Sequence, residues 1–472
     1  MTAAPLPRSH LPKTLLVELT PGEGRAALLA GTEPIEVWHH RALGDSLIGA
    51  VFLGRVVRLL PSLPGAFVEI GAGRPAFLDG ITGLTEGQAV VVQGVKDAYA
   101  DKAAEVTRAL SFEGRLAVWT QGRPGIAVSR RMAPDERARL STILASLVGP
   151  GEGVVLRSHA EGATADALSE EVTALRAVAV AIDEAASRAV PPARLDRPPS
   201  ALERLLALAQ ANRPGRIILD DAAALPIARR LASSQTIEAE PPGLFARYDV
   251  EAAIDEALEP VVALPGGGSL VIEATTALIA IDVNLGAAAG GRGRAAEAVL
   301  ATNLAAAVAV ARALRLRNLA GSIIVDFVSM RSREHRQQVR DALAAAVADD
   351  PMAVDVLGWT RLGHVELTRR RGLPSLADML LDDVPQGRRR SALTVALAAL
   401  RALAHGSAPA GPLDLRVAPA VAAVLEGRAA PFLADAARRA GRSVTVVADA
   451  SHPHESFDIA PRLSHLPRLP HL

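Results

Sequence analysis

Two aspartates, Asp282 and Asp326, lie in separate apolar segments and are the residues best placed for chemistry. Asp282 lies in LIAIDVN and Asp326 in SIIVDFVSM, and Asn284 shares a strand face with Asp282 by alternation. Two carboxylates at neighbouring strand ends cannot both stay ionised in apolar surroundings without compensation. A hard dication such as Mg²⁺ supplies it and also accepts phosphate oxygens. The alternative is that each Asp only caps the turn after its strand.

The elements around these aspartates predict one α/β block. The segment AAEAVLATNLAAAVAVARALRLRNL predicts a helix between the two strands that is long enough for a crossover connection. From Gly266 to Leu380, strands alternate with helices, which is typical of a sheet covered by helices. We therefore expect Asp282 and Asp326 at neighbouring strand ends of one sheet.

Runs of arginine surround this block. They occur in RALRLRN, RSREHR and TRRR. The simplest explanation of such runs is a solvated helix face. Their closeness to a candidate metal site instead favours contacts with phosphate. The sequence alone leaves both explanations open.

The sequence pattern of the N-terminal quarter of the chain predicts a small β-barrel. Short β-rich segments separated by Gly and Pro continue to about residue 109. Phe67 and Phe77 lie on adjacent segments, and Lys96 and Lys102 lie in VKDAYADK. Exposed aromatic side chains on such a barrel stack nucleic-acid bases. The alternative is that both Phe side chains belong to the barrel core.

Length and composition limit the number of domains and the classes of protein that the chain can belong to. A chain of 472 residues suggests about three domains. Its net charge of zero counts mildly against a nucleic-acid-binding protein, although local clusters matter more than the sum. The absence of Cys excludes disulfides and thiolate metal sites. The N-terminus lacks the pattern of a signal peptide and no membrane span is expected, so we predict a cytoplasmic protein.

Taken together, these motifs resemble the ribonuclease E/G family. The segment GRVVRLLPSLPGAFVEIGAGRPAFL resembles its S1 domain. The segments IDVN, TNLAAA, ARALRLRNLAGSIIVDFVSM and RLGHVELTRRR resemble its catalytic block. The likeness runs in order from about Lys13 to Leu376, and the tail that begins with DLRVAPAVAAVLEG resembles the small C-terminal domain of the family.

The resemblance implies an α+β multidomain protein. Its expected parts are an RNase H-like part (13–40 and 215–278), an inserted S1 barrel of the OB type (41–115), a 5′-sensor region (116–214), a DNase I-like α/β catalytic domain (279–385) and a small C-terminal α/β domain (410–460).

The resemblance also implies roles for individual residues. Asp282 and Asp326 are the expected Mg²⁺ ligands and catalytic residues, with Asn284 supporting them. The positions that match single-stranded RNA contacts are Phe67, Phe77, Lys96 and Lys102. The positions that match the 5′-phosphate sensor are Gly114, Val118, Arg157 and Ser158.

Three departures from the family pattern modify these expectations. Without Cys, no zinc link between protomers is expected, so any homo-oligomer must form through other contacts. Ala353 stands where the sensor has an Arg, which predicts weak 5′-end sensing. The loop after Asn284, LGAAAGGRGR, is apolar where the family has polar residues.

The expected function is a Mg²⁺-dependent endoribonuclease that cleaves single-stranded RNA to 5′-phosphate and 3′-hydroxyl products in RNA processing or decay. The alternative is a catalytically impaired, RNA-binding paralogue of the same family. Asp282, Asn284 and Asp326 favour the enzyme, whereas the altered loop favours the alternative. A third candidate function is that of a purely structural partner in a larger complex, which would have no affinity for RNA.

Overall fold

A computed structural model describes residues 11–42, 47–60, 64–98, 102–129, 132–157, 160–197, 199–286, 295–385, 387–406 and 411–462. The predicted sensor position Ser158 and residues 287–294 of the altered loop lie outside these described ranges. The chain forms two compact units, Gly44–Pro198 and the combination of Met1–Leu43 with Pro199–Leu472. Strands and helices are numbered along the chain.

The larger unit begins with a five-stranded sheet in the order β15-β14-β1-β2-β3. Its strands are β1 (Lys13–Thr20), β2 (Glu23–Ala30), β3 (Glu33–Arg41), β14 (Arg216–Leu219) and β15 (Thr236–Ala239). Its helices are α3 (Ala201–Ala209), α4 (Leu225–Leu231), α5 (Leu244–Arg247) and α6 (Val250–Leu258). In β1, Leu15 packs with residues of α3 on one face, and Leu16 packs with residues of α5 and α6 on the other. Burial of both faces explains the consecutive apolar residues Leu15, Leu16 and Val17 of β1.

A second, six-stranded sheet of the same unit carries the two aspartates, in the order β16-β17-β18-β19-β21-β20. Its strands are β16 (Val261–Ala263), β17 (Ser269–Ala274), β18 (Ile279–Asn284), β19 (Gly321–Asp326), β20 (Val354–Trp359) and β21 (Val365–Arg369). Residues of α7 (Ala295–Leu316) and α8 (Arg333–Val347) pack with one face of this sheet in a common core. β16 and β17 fall within the range predicted as RNase H-like, yet they pair within this second sheet.

Among the described helices, α7 is long and apolar enough to cross a membrane by length and composition. Its Ala306, Val310 and Leu314 are fully buried in the core beside the second sheet. A helix that fills a domain core passes the same test of length and composition, so its apolar character follows from its packing.

The C-terminal part of the larger unit is a small α/β arrangement. A three-stranded sheet in the order β25-β24-β26 shares a core with the helices around it. The elements are α9 (Leu376–Leu380), β22 (Leu381–Val384), β23 (Gly387–Arg390), α10 (Ala392–His405), β24 (Leu413–Val417), α11 (Pro419–Glu426), α12 (Ala430–Ala440), β25 (Val444–Ala448) and β26 (Phe457–Pro461).

The smaller unit contains a closed five-stranded barrel. Its strands are β4 (Val51–Leu60), β5 (Gly65–Glu69), β6 (Ala76–Asp79), β7 (Ala89–Lys96) and β8 (Glu105–Thr107). Pairing of β4 with both β5 and β7 closes the barrel, and the short strand β13 (Ala193–Arg194) also pairs with β4. A mixed α+β architecture with a small barrel is therefore confirmed.

A four-stranded sheet completes the smaller unit, in the order β11-β12-β10-β9. Its elements are β9 (Ser111–Glu113), β10 (Ala117–Gln121), β11 (Gly125–Val128), α1 (Pro134–Leu147), β12 (Glu152–Leu156) and α2 (Ala165–Arg188). Apolar residues of both helices, including Leu140 and Leu168, join Trp119 of β10 in one core.

Candidate active site

The two aspartates meet because their strands pair in parallel. β18 and β19 are neighbours, and Asp282 is the register partner of Asp326. The crossover through α7 makes this parallel pairing possible. The flanking Ile281, Val283 and Val325 are buried in the core, so strand alternation turns both aspartates to the opposite, more exposed face. The structure thus brings the predicted pair together.

Asn284 fixes the orientation of one carboxylate. Its Nδ2 donates a hydrogen bond of 2.9 Å to Oδ2 of Asp282, its neighbour two residues earlier on the same face. One Asp282 oxygen is thereby engaged, and Oδ1 stays available. This is the supporting contact that a ligating carboxylate needs.

Asn303, on α7, fixes the chain just after Asp326. Its side chain is fully buried. Its Nδ2 donates to the carbonyl of Val328 at 2.8 Å, and its Oδ1 accepts the N–H of Val328 at 3.1 Å. The motif TNLAAA contains Asn303, but the sequence alone assigns this residue no role. The signal was an amide side chain in an otherwise apolar stretch of helix.

His364 also stands beside Asp326. β21 pairs antiparallel with β19, and the partnership of Val325 with Val365 places His364 opposite Asp326. Nδ1 of His364 lies 3.2 Å from Oδ1 of Asp326. The two atoms do not form a hydrogen bond of acceptable geometry, and this nitrogen has no hydrogen-bond partner among the described residues. The sequence alone does not single out His364, because only the strand register places it beside Asp326.

The two carboxylates suit a hard dication. No Lys or Arg among the described residues forms an ion pair with Asp282 or Asp326. Within the same ranges, no group of three or more His, Asp or Glu side chains is arranged to hold a metal ion. Mg²⁺ accepts one or two carboxylates and fills its remaining positions with water and phosphate oxygens. The donor set therefore fits that ion.

Three of the four predicted RNA-contact residues of the barrel, Phe67, Phe77 and Lys96, form part of one row around its surface. Arg58 pairs with Phe67, Phe67 with Phe77, Phe77 with Glu105, and Glu105 with Lys96. The two Phe rings meet edge to face, with their centroids 6.1 Å apart. Both rings are only partly buried and lie outside the buried core cluster of the barrel.

The barrel row also carries charge. Nζ of Lys96 forms an ion pair of 2.7 Å with Oε2 of Glu105, and both side chains are largely exposed. Lys102 is exposed and is not a member of the row. An RNA phosphate must therefore compete with Glu105 for Lys96.

Three of the predicted sensor positions lie in the four-stranded sheet or beside it. Val118 of β10 pairs with Glu113, and Gly114 directly follows that glutamate. Arg157 follows β12 and forms an ion pair with Glu113, the neighbour of Gly114. The structure thus brings Gly114, Val118 and Arg157 into one neighbourhood, with a carboxylate already bound to the arginine.

A second carboxylate occupies the same turn. Oε1 of Glu171 accepts the N–H groups of Leu116 and Ala117 at 2.5 and 2.8 Å. A Cβ atom at Gly114 would lie 2.4 Å from the same oxygen, so a larger residue there would displace the Glu171 carboxylate. The turn from residue 114 to 117 is therefore shaped by Glu171.

Comparison with known proteins shows the family of this chain. The model of the ribonuclease E/G family matches residues 111–372, more than half of the chain. The chain belongs to the ribonuclease E/G family. It is 30% identical to ribonuclease G of Salmonella typhimurium (strain SL1344) and of Escherichia coli (strain K12), over 94% of this chain and 99% of each relative.

The same family relation extends to ribonuclease E. The chain is 33% identical to ribonuclease E of Nostoc sp. (strain PCC 7120 / SAG 25.82 / UTEX 2576), over 73% of this chain and 54% of that protein. The predicted family and the predicted enzyme class, a ribonuclease of the E/G type, are confirmed.

Proposed function

We propose that this protein is a Mg²⁺-dependent endoribonuclease that cleaves single-stranded RNA to 5′-phosphate and 3′-hydroxyl products. Its role would be RNA processing or decay in the cytoplasm. The observation that carries the proposal is the pairing of Asp282 with Asp326 at the ends of adjacent parallel strands, with Asn284 holding Asp282. Family membership supports the same reaction class.

Four residues of the chain would have separate roles at this site. Asp282 and Asp326 would hold the Mg²⁺, and Asn284 would keep the Asp282 carboxylate in one orientation. When bound, the ion lowers the pKa of a coordinated water and offsets charge that develops on the phosphate. Asn303 would keep the end of β19 in place through its two bonds to Val328.

RNA would bind along the barrel row. Phe67 and Phe77 offer ring surfaces for base stacking, and Lys96 and Lys102 offer charge for the backbone. Arg58 extends the same row and is exposed, so it joins the candidate RNA contacts. We assign the five-stranded sheet to an RNase H-like part, the barrel to an S1 domain, the four-stranded sheet to a 5′-sensor region and the six-stranded sheet to a DNase I-like domain.

The decisive test is the variant Asp326→Asn on a labelled single-stranded RNA. The change removes a charged ligand whose contribution to the transition state is several kcal/mol, so cleavage should fall by about 100-fold or more. RNA affinity should stay within a few-fold because other residues bind RNA. EDTA should stop cleavage by the wild type, and added Mg²⁺ should restore it.

Asp341→Asn is the matched control. Asp341 is an exposed carboxylate on α8 of the same domain, where it contacts Gln337 and Arg340. This control should cleave at the wild-type rate. If Asp326→Asn also cleaves at that rate, the metal assignment is wrong. If the wild type binds RNA but never cleaves it, the protein is the impaired, RNA-binding paralogue that the altered loop favours.

A further inference from the structure

A tight turn joins β20 to β21 beside Asp326. The N–H of Thr360 donates to the carbonyl of His364 at 2.8 Å, and the N–H of Gly363 donates to the carbonyl of Thr360 at 3.2 Å. The hydroxyl of Thr360 also accepts the N–H of His364 at 3.2 Å. Gly363 has a φ of +95°, which glycine adopts far more readily than other residues. Hydrogen bonds therefore give this turn one defined shape.

Both ends of the turn are anchored at the end of β19. After the turn, His364 lies opposite Asp326, with Nδ1 3.2 Å from Oδ1 of that carboxylate. Before the turn, the ring centroid of Trp359 lies 5.9 Å from that of Phe327, the residue that follows Asp326. Nε1 of Trp359 also donates to the carbonyl of Arg336 at 3.1 Å. The turn is therefore held next to one carboxylate of the candidate active site.

The two residues at the tip of this turn are exposed. Leu362 is 85% exposed, more than any other Leu, Ile or Val that the structure describes. Arg361 is exposed too, and its guanidinium forms no hydrogen bond or ion pair within the described part of the chain. A single exposed leucine is ordinary on a protein surface. An exposed leucine beside an unpaired arginine, on an anchored turn next to two carboxylates, instead has the composition of a contact for an anionic ligand with apolar parts.

The length of the chain between Arg361 and His364 limits what the turn can contact. Three residues span at most about 10 Å, so the backbone of Arg361 lies within that distance of the residue opposite Asp326. A phosphate that approaches the two aspartates meets the repulsion of their carboxylates. An arginine offsets this repulsion through charge-assisted hydrogen bonds to phosphate oxygens. Arg361 is therefore placed to bind a phosphate close to the one that is cleaved.

We propose that Arg361 and Leu362 bind the RNA next to the scissile phosphate, with Arg361 on a backbone phosphate and Leu362 against a base. This inference rests on the proposed endoribonuclease function. Leu362 separates the base that it contacts from the next one, as apolar wedges do between base steps in DNA. Such a contact forms no hydrogen bond with a base, so it favours cleavage where neighbouring bases stack weakly.

The first test measures RNA binding without cleavage, using the full-length protein in EDTA. Fluorescence anisotropy with a single-stranded RNA gives the affinity at several salt concentrations. Arg361→Gln should lower the slope of log affinity against log salt by about 0.7, the contribution of one phosphate contact on a single strand. Arg361→Lys should keep the wild-type slope because it keeps the charge. Arg428→Gln, at an exposed arginine between α11 and α12, is the matched control and should also keep it.

The second test follows the base. The cleavage site of a labelled RNA is mapped in Mg²⁺, and 2-aminopurine is then scanned along the same RNA in EDTA. Its fluorescence rises when the base leaves the stack, so the wild type should raise it most beside the cleavage site. Leu362→Ala should lose at least half of this rise and lower kcat/KM at least tenfold, and Leu362→Met should restore most of both. Leu231→Ala, at an exposed leucine of α4, is the matched control.

Each half of the proposal has its own contrary outcome. An unchanged salt slope in Arg361→Gln would overturn the phosphate contact. Wild-type fluorescence and cleavage in Leu362→Ala would overturn the base contact. Both side chains are exposed, so the melting temperatures of these variants should match that of the wild type.

These outcomes are separate from the failure of the proposed function. If the wild type binds RNA but never cleaves it, the endoribonuclease assignment fails. The salt slope and the fluorescence scan then still decide whether the turn contacts RNA. If Asp326→Asn cleaves like the wild type, the metal assignment fails, and a changed slope in Arg361→Gln would still support the phosphate contact.

Discussion

Asn303 is a residue whose burial and bonding have a direct consequence for the candidate active site. Asn303→Ala leaves both the N–H and the carbonyl of Val328 without their side-chain partner. Unpaired buried polar groups cost about 1–3 kcal/mol, so the free energy of unfolding should fall by that amount. Cleavage should fall more than RNA affinity, because the end of β19 loses its anchor. Denaturant unfolding and cleavage assays on the same preparation check both effects, and wild-type values in both would contradict the anchoring role.

Asp220 is a second buried polar residue, located after β14. Burial raises the pKa of this carboxyl to about 7, although its Oδ1 accepts the Leu19 N–H at 2.8 Å. Its Oδ2 has no hydrogen-bond partner and lies 3.5 Å from Nε2 of His405, whose pKa is lowered by burial. The folded protein therefore holds the Asp220 proton more tightly than the unfolded chain does.

This raised pKa predicts a pH dependence of stability. The contribution of Asp220 is fully present below the ordinary carboxyl pKa of 3.8 and is lost as the pH rises toward 7. Asp220→Asn keeps an acceptor for Leu19 and removes the titration. The melting temperature of the variant should exceed that of the wild type at pH 8, and the difference should be smallest at pH 4. Asp341→Asn is the exposed control. An equal shift of Asp220→Asn at both pH values would contradict the prediction.

At the scale of elements, the local pattern of apolar residues predicts the strands and helices but not the register in which the strands pair. The apolar runs around Asp282 and Asp326, and the helical segment between them, were sufficient to predict two neighbouring parallel strands. The position of His364 opposite Asp326 depends on the antiparallel pairing of β19 with β21. The pairing of β20 with β21 also contains a shift of register between Val356 and Gly358. Side-chain periodicity cannot fix such a register, because each strand satisfies its own pattern in several alignments.

The barrel row leads to a prediction about RNA binding. Phe67→Ala should weaken RNA affinity by about 1–3 kcal/mol, because one base loses its stacking surface. The melting temperature should change little, since Phe67 lies outside the barrel core. Lys96→Ala should weaken binding and also reduce its salt dependence. Fluorescence anisotropy at several salt concentrations measures both effects.

Ile126→Ala is the control for truncating an exposed apolar side chain, since Ile126 lies on β11, outside the barrel. It should bind RNA like the wild type. A large drop in the melting temperature of Phe67→Ala, with unchanged RNA affinity, would instead support the alternative that the Phe67 ring belongs to the barrel core.

At the scale of the whole molecule, the chain has no cysteine with which to join protomers through zinc. The segment after the six-stranded sheet forms the hairpin of β22 and β23. Arg388 binds both Asp378 and Asp383 at 2.9 Å, and Arg390 pairs with Asp255 of α6. Ion pairs therefore hold this hairpin to neighbouring segments of its own chain.

The predicted 5′-end sensor departs from the family pattern at Ala353, which stands where an Arg is expected. Arg157 is engaged by Glu113, so a terminal phosphate must displace a carboxylate before it gains a charge-assisted bond. Ala353 offers neither charge nor a planar donor group. Both features weaken the expected recognition of a 5′-monophosphate.

We therefore expect only a weak preference, in cleavage rate, for an RNA with a 5′-monophosphate over the same RNA with a 5′-hydroxyl. Glu113→Gln should raise the ratio of these rates in favour of the monophosphate, because the amide no longer competes as an anion for Arg157. Glu184→Gln, which removes an exposed partner of Arg188 on α2, should leave the ratio unchanged. A strong monophosphate preference in the wild type would show that another arginine replaces the missing one. Arg130 and Arg131, which lie outside the described residues, are the first candidates by sequence.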